Sequence, residues 1–246
     1  VLMNRNHQAS DSIQAIQNAQ IAGITNISID LIYGIPSNTQ EDLVEDLEKA
    51  TSLGVQHISA YSLTVEPKTV FGVQKKKGAF LEIPDSAMAN AFTQVREYLE
   101  SKGYEGYETS NFAKDGNYSV HNTSYWQQEP YLGIGPSAHS FNGHSRQWNV
   151  ANNAKYIAEG NLLAEKEVLS PADQLNEYLM VRLRTKWGID LNYVRESFEK
   201  MGQIYPEKEF ETWIAKGFAR IENDCLLLEG EGKLIADRLS SDIFVV

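Results

Sequence analysis

The sequence predicts an α/β fold: part of a (β/α) barrel with parallel strands, joined to a helical, winged-helix-like C-terminal module. Three observations carry this. Helix-like and strand-like segments alternate through the first 110 residues with short links, a pattern that implies a parallel sheet with helices outside. The first strand-like segment is a near-continuous apolar run, as buried parallel strands are. After residue 165 the pattern changes to successive helices and a short β ribbon.

Residues 10–22 read as a helix capped by Ser10, with Ile13 and Ile16 at helical spacing and Gly23 as the stop. NISIDLIYG, 26–34, reads as a strand. Thr39, with Asp42 three residues on, marks the start of a second helix in which Leu43, Leu47 and Ala50 share a face. HISAYSLTV, 57–65, is the next strand, followed by a loop through Lys75, Lys76 and Lys77. A third helix begins near Asp85; Met88, Ala91, Phe92, Val95, Tyr98 and Leu99 form its apolar stripe. YEGYETS, 104–110, reads as a short strand. About three strands are few for a complete parallel domain, so a fragment of a larger barrel is expected. Residues 111–165, rich in Gly, Asn and aromatics, read as a long functional loop. Helices follow after Pro171, near 190–201 and at 206–217. A ribbon turning at Glu229–Gly232 and a final helix complete the chain. The expected domains are therefore residues 1–165 and 166–246.

Composition narrows the function. The chain has 246 residues, 42% of them hydrophobic, and a formal charge of −11. The lysine run at 75–77 is the only basic cluster, so no nucleic-acid partner is expected. No apolar run approaches the ~18 residues of a membrane span, and VLMNRNHQAS is not a signal peptide. Cys225 is the single cysteine, which excludes an intrachain disulfide or a multi-cysteine cluster within these residues and suits a reducing cytoplasm.

A few residues carry chemistry. Asp30 interrupts an apolar strand. Alternation puts it with Ser28 and Ile32 on the face that would look into a barrel, where it either meets a ligand or ties down a loop. Arg5, in NRNH, has the guanidinium that grips a carboxylate through two parallel hydrogen bonds, although the residues alone favour an exposed arginine. Gly133 and Gly135 in GIGPSAHSF are spaced as in a tight turn but lack a dinucleotide fingerprint. His121, His139 and His144 match no compact metal motif. HNTSYW, 121–126, sets an imidazole, a phenol and an indole within six positions. Neutral imidazole is a good axial ligand for haem iron, and Tyr125 and Trp126 can stack on a porphyrin. The competing reading is a loop anchored by its own aromatics.

NRNH, SIDLIYGIPSNT, HISAYSLTVEPKT, GYEGYETSNFAKDG, SVHNTSYW and YLGIGPSAHSF occur in this order. The series resembles the HemN/HemW branch of the radical S-adenosylmethionine (SAM) superfamily, which holds oxygen-independent coproporphyrinogen III oxidases and HemW-type haem chaperones. HNTSYW matches the HNxxYW haem motif associated with HemW, so the resemblance favours haem binding and transfer to an acceptor protein; the oxidase, an enzyme of porphyrin biosynthesis, is the alternative. It implies that Arg5 holds the SAM carboxylate, Asp30 the ribose hydroxyls, and Thr64 and His139 the adenosine pocket. It also implies His121 as the haem-iron ligand, with Tyr125 and Trp126 beside it. Members of the branch hold a [4Fe–4S] cluster on a CxxxCxxC-type motif. With Cys225 alone, this chain corresponds to the C-terminal two-thirds of such a protein and is expected to lack radical activity and to bind SAM weakly.

Overall fold

The computed structural model describes residues 8–159 and 163–245. They form two units, divided between Ser119 and Val120.

The first unit runs α1 (Ala9–Ile21), β1 (Ser28–Tyr33), α2 (Gln40–Ser52), β2 (His57–Ser62), α3 (Val70–Lys76), α4 (Asp85–Ser101), β3 (Glu105–Gly106) and β4 (Asn111–Ala113). α1 is capped by Gln8 rather than Ser10: the Gln8 N–H donates to the Asp11 carboxylate at 2.8 Å. α2 starts where expected. The Asp42 N–H donates to Thr39 Oγ1 at 3.2 Å, and the Thr39 N–H returns a bond to the Asp42 carboxylate at 2.8 Å. These bonds hold the Asp42 carboxyl below its usual pKa. The lysine run is not a loop. Thr69 accepts from the Gly72 N–H, starting α3, and Lys75 and Lys76 occupy its last turn, where the helix dipole favours cations.

The four-stranded sheet has the order β1-β2-β4-β3. Only β1 and β2 pair in parallel; β4 runs antiparallel to both β2 and β3. The expected all-parallel arrangement is thus a mixed sheet. The reversal is local. Glu108 accepts from the Ser110 N–H at 2.9 Å and from Asn111 Nδ2 at 2.6 Å, fixing the bend that turns β3 back into β4. One sheet face is packed by helices. Tyr33, Ile58 and Ala60 meet Leu47, Val95 and Leu99 there, with Ile29 and Leu31 partly buried beside them. Leu47 and Leu99 are fully buried, and each contributes about 2 kcal/mol by removal from water.

The second unit runs α5 (Val120–Trp126), β5 (His139–Phe141), β6 (Ser145–Asn149), α6 (Asn153–Glu159), β7 (Leu163–Val168), α7 (Pro171–Leu183), β8 (Ile189–Asp190), α8 (Leu191–Lys200), α9 (Glu207–Ala215), β9 (Ala219–Glu222), β10 (Cys225–Leu228), α10 (Glu231–Leu234) and α11 (Ala236–Asp242). The region expected as a long loop therefore contains α5 and an antiparallel sheet of order β5-β6-β7. Its polar composition reflects tight reversals rather than lack of structure. At one of them Asn142 Oδ1 accepts from the backbone N–H groups of His144 and Ser145.

α7 opens on a reciprocal cap between Ser170 and Asp173, with Pro171 at its first position. Leu175, Leu179 and Leu183, four apart, meet Val194 and Phe198 of α8, Phe210 and Trp213 of α9, and Leu226 and Leu228 of β10. The ribbon turns at Asn223–Asp224, both in the left-handed region (φ 49° and 59°), not at Glu229–Gly232. Gly232 instead sits against Phe218, where a Cβ would come within 2.1 Å of the Phe218 carbonyl oxygen.

Candidate functional site

The sheet face away from the helices is polar. Alternation along β1 and β2 puts Ser28, Asp30, His57 and Ser59 on it. His57, only 2% exposed, bonds on both ring nitrogens: Nδ1 to Ser28 Oγ and Nε2 to the Tyr107 hydroxyl, each at 2.8 Å. The Ser119 N–H donates to the same hydroxyl at 3.2 Å. Burial lowers the His57 pKa below its ordinary 6.5, opposed by the nearby Asp30 charge. Burial likewise pushes the Tyr107 phenol up to about 12. A second chain runs beside the first: Ser59 donates to Asn111 Oδ1 at 3.2 Å, and Asn111 donates to Glu108. The Ser28–His57–Tyr107 relay was missed in the sequence; the alternating polar positions of HISAYS were its only signal.

Asp30 is exposed on this face, not buried. Thr64, two residues beyond β2, is also exposed. His139 belongs to the second unit: it is exposed on β5 and stacks on Trp148, with centroids 5.5 Å apart and planes at 27°. Gly133 packs against its backbone so tightly that a Cβ would lie 2.0 Å from the His139 carbonyl oxygen, so the GIG turn serves close backbone approach. Arg5 lies outside the described residues.

HNTSYW forms most of α5. His121 and Tyr125, one turn apart, share a face and meet edge-on at 4.9 Å. Tyr125 meets Tyr131 edge-on at 4.8 Å. His121 is exposed, and Tyr125 keeps 39% of its surface in solvent. On the inward side, Thr123 Oγ1 and Trp126 Nε1 are buried with no hydrogen-bond partner among the described residues. A cavity of about 180 Å³ adjoins the helix; Tyr125, Trp126, Tyr131 and Phe141 line it, together with Arg146 and Glu177. Arg146 donates to the Glu177 carboxylate at 2.9 Å and lies over the Phe141 ring. Arg146 had no sequence signal, because only the fold brings it near HNTSYW.

The helix thus offers an accessible imidazole backed by an aromatic cluster. The polar sheet face offers an accessible carboxylate beside a fixed hydrogen-bond network. Among the described residues, no helix is long and apolar enough to cross a membrane.

No protein-family model matches the chain. Among curated proteins it is 32% identical over 245 residues to the Heme chaperone HemW of Bacillus subtilis, covering 96% of this chain and 64% of that protein. The Heme chaperone HemW of Mycobacterium tuberculosis (strain H37Rv) is 32% identical, with coverage of 96% and 59%. The mouse mitochondrial radical S-adenosyl methionine domain-containing protein 1 is 31% identical, with coverage of 97% and 57%. Among solved structures, the coproporphyrinogen III oxidase HemN of Escherichia coli, described as a radical SAM enzyme, superposes with a TM-score of 0.74 at 18% identity. That match covers 97% of this chain and 59% of HemN, and it shows a shared α/β fold. The chain spans about 60% of the length of these relatives. Over nearly its whole length the chain is similar in sequence to HemW heme chaperones and to a radical S-adenosyl methionine domain-containing protein, and it shares the fold of HemN.

Proposed function

We propose that the chain is the haem-binding portion of a HemW-type protein that passes haem to an acceptor protein. One observation carries this reading: α5 keeps the His121 imidazole and Tyr125 ring accessible, side by side, on a helix whose sequence matches HNxxYW. An exposed imidazole fits an axial ligand. The exposed phenol fits the apolar edge of a porphyrin, each Å² it covers contributing ~25 cal/mol. Bound haem would supply an iron that takes a nitrogen ligand; His121 would hold it, and Tyr125 and Trp126 would pack beside the ring. The test is titration of haem into the 246-residue chain and its His121→Ala variant. The expected result is a Soret shift with at least about tenfold weaker binding in the variant, the scale of losing a ~1.4 kcal/mol contact. An unchanged spectrum and affinity would remove His121 from the role.

The sheet and its outer helices are read as part of a (β/α) barrel, and α7–α9 with the β8-β10-β9 sheet as a winged-helix-like module; the domain division proposed is 1–165 and 166–246. In the full-length protein, Arg5, Asp30, Thr64 and His139 would hold SAM, and a [4Fe–4S] cluster would sit on cysteines outside these residues. A cytoplasmic setting suits the lone Cys225. The alternative, an oxygen-independent coproporphyrinogen III oxidase, draws support from the HemN fold alone. Decarboxylation of coproporphyrinogen III by the full-length protein would favour it.

A further inference from the structure

A second cavity, of about 280 Å³, opens where β1 ends, between the start of α2 and the face of α4. It lies on the helix side of the sheet, opposite the face that carries Asp30. Its volume falls just below the roughly 300–1,000 Å³ range of small-ligand sites.

Tyr33 lines this cavity. Its side chain is only 7% exposed, yet its hydroxyl makes no hydrogen bond to any described residue. The ring is buried while the hydroxyl oxygen stays accessible, free to donate to a bound molecule. Burial also pushes its pKa up to about 12, so it stays a neutral donor. Asn90 and Gln94 stand four apart on α4 and therefore share one face. Asn38 approaches from the β1–α2 connection and Gln40 from the first position of α2. None of the four side-chain NH₂ groups donates to a described residue. The walls between them are aliphatic, from Leu43 and Ile83.

Charge narrows the ligand. Among the described residues no Lys, Arg or His lines the cavity, and Asp46 adds a carboxylate. Phosphates and free carboxylates are therefore disfavoured. Primary amides present a donor and an acceptor side by side, the pattern that pairs with the edge of a nucleobase, as Asn and Gln do with adenine. Aliphatic walls suit the faces of a flat ring. We propose that this cavity binds an uncharged nucleoside, its base held by the amides and the Tyr33 hydroxyl.

The test is equilibrium dialysis of adenosine and cytidine, with AMP as the anionic counterpart, against the 246-residue chain. At least one nucleoside is expected to bind, and AMP at least about tenfold more weakly than adenosine if adenosine is the one held. Tyr33→Phe and Gln94→Leu are each expected to weaken binding several-fold. Tyr33→Phe removes an unpartnered hydroxyl, so its melting temperature stays equal or rises and a folding failure is not confounding. Glu199→Gln, an exposed residue of α8 far from the cavity lining in sequence, leaves the affinity unchanged. Absence of binding by both nucleosides at millimolar concentration overturns the proposal. So does full binding by Tyr33→Phe, or loss of binding in Asp30→Asn alone, which would move the nucleoside to the other face.

Discussion

The polar face of the first sheet and the aromatic helix α5 solve opposite problems. On the sheet, His57 is buried and both its ring nitrogens are bonded. On α5, His121 is exposed and its ring meets the edge of Tyr125, while Thr123 and Trp126 bury polar atoms with no partner among the described residues. A satisfied network stabilises and rigidifies; an unsatisfied one gives up stability and leaves capacity for something else. The two histidines are thus distinguished by their partners rather than by residue type. His57 serves the fold, and His121 is available to a ligand.

Mutation can break this contrast. His57→Ala removes two buried hydrogen bonds and leaves a void, so a loss of about 3 kcal/mol in urea unfolding is expected. A loss as small as that of a surface residue would mean the relay is ornamental. The same histidine sets a pH dependence. Its folded pKa lies below the unfolded value of 6.5, so its contribution is complete above pH 6.5 and is lost as pH falls through the folded pKa. Denaturation midpoints measured from pH 7.5 down to 5 should fall on the acid side, and His57→Phe should flatten that slope. Tyr107→Phe takes one hydroxyl from the relay and should cost about 1–2 kcal/mol, read as a lower unfolding midpoint. Thr123→Val has the opposite sign: deleting a buried unpartnered hydroxyl should raise stability by about 1 kcal/mol. A destabilised Thr123→Val protein would reveal a partner for that oxygen. The smallest effect belongs to His121→Ala, whose stability should stay within about 0.5 kcal/mol of the parent, since an exposed side chain holds little of the fold together. Large destabilisation there would merge the two histidines into one structural class.

What the sequence disclosed follows the range of the interactions. Thr39 with Asp42 and Ser170 with Pro171 act within one turn, and the helices start there. The apolar stripe of α4 was readable for the same reason: Val95 and Leu99 are adjacent on the helix and both buried. Asn223–Asp224, two residues suited to positive φ, make the ribbon turn that was expected at Glu229–Gly232. The antiparallel entry of β4 was not readable, because it depends on Glu108 bonding Asn111 across a bend. Nor was α5: a seven-residue stretch with two aromatics and a histidine has weak helical propensity of its own. The candidate haem residues stood out as residue types, whereas the relay through Tyr107 and the pairing of Arg146 with Glu177 join positions tens of residues apart.

The sheet order leaves β1 hydrogen-bonded along one side only among the described residues. Its far side presents alternating amide and carbonyl groups with no strand partner among the described residues. Such a border is a template for a further extended segment, from any molecule able to match its spacing. Handling this polypeptide at high concentration should therefore favour strand-to-strand association, and dilute solutions should keep it monodisperse.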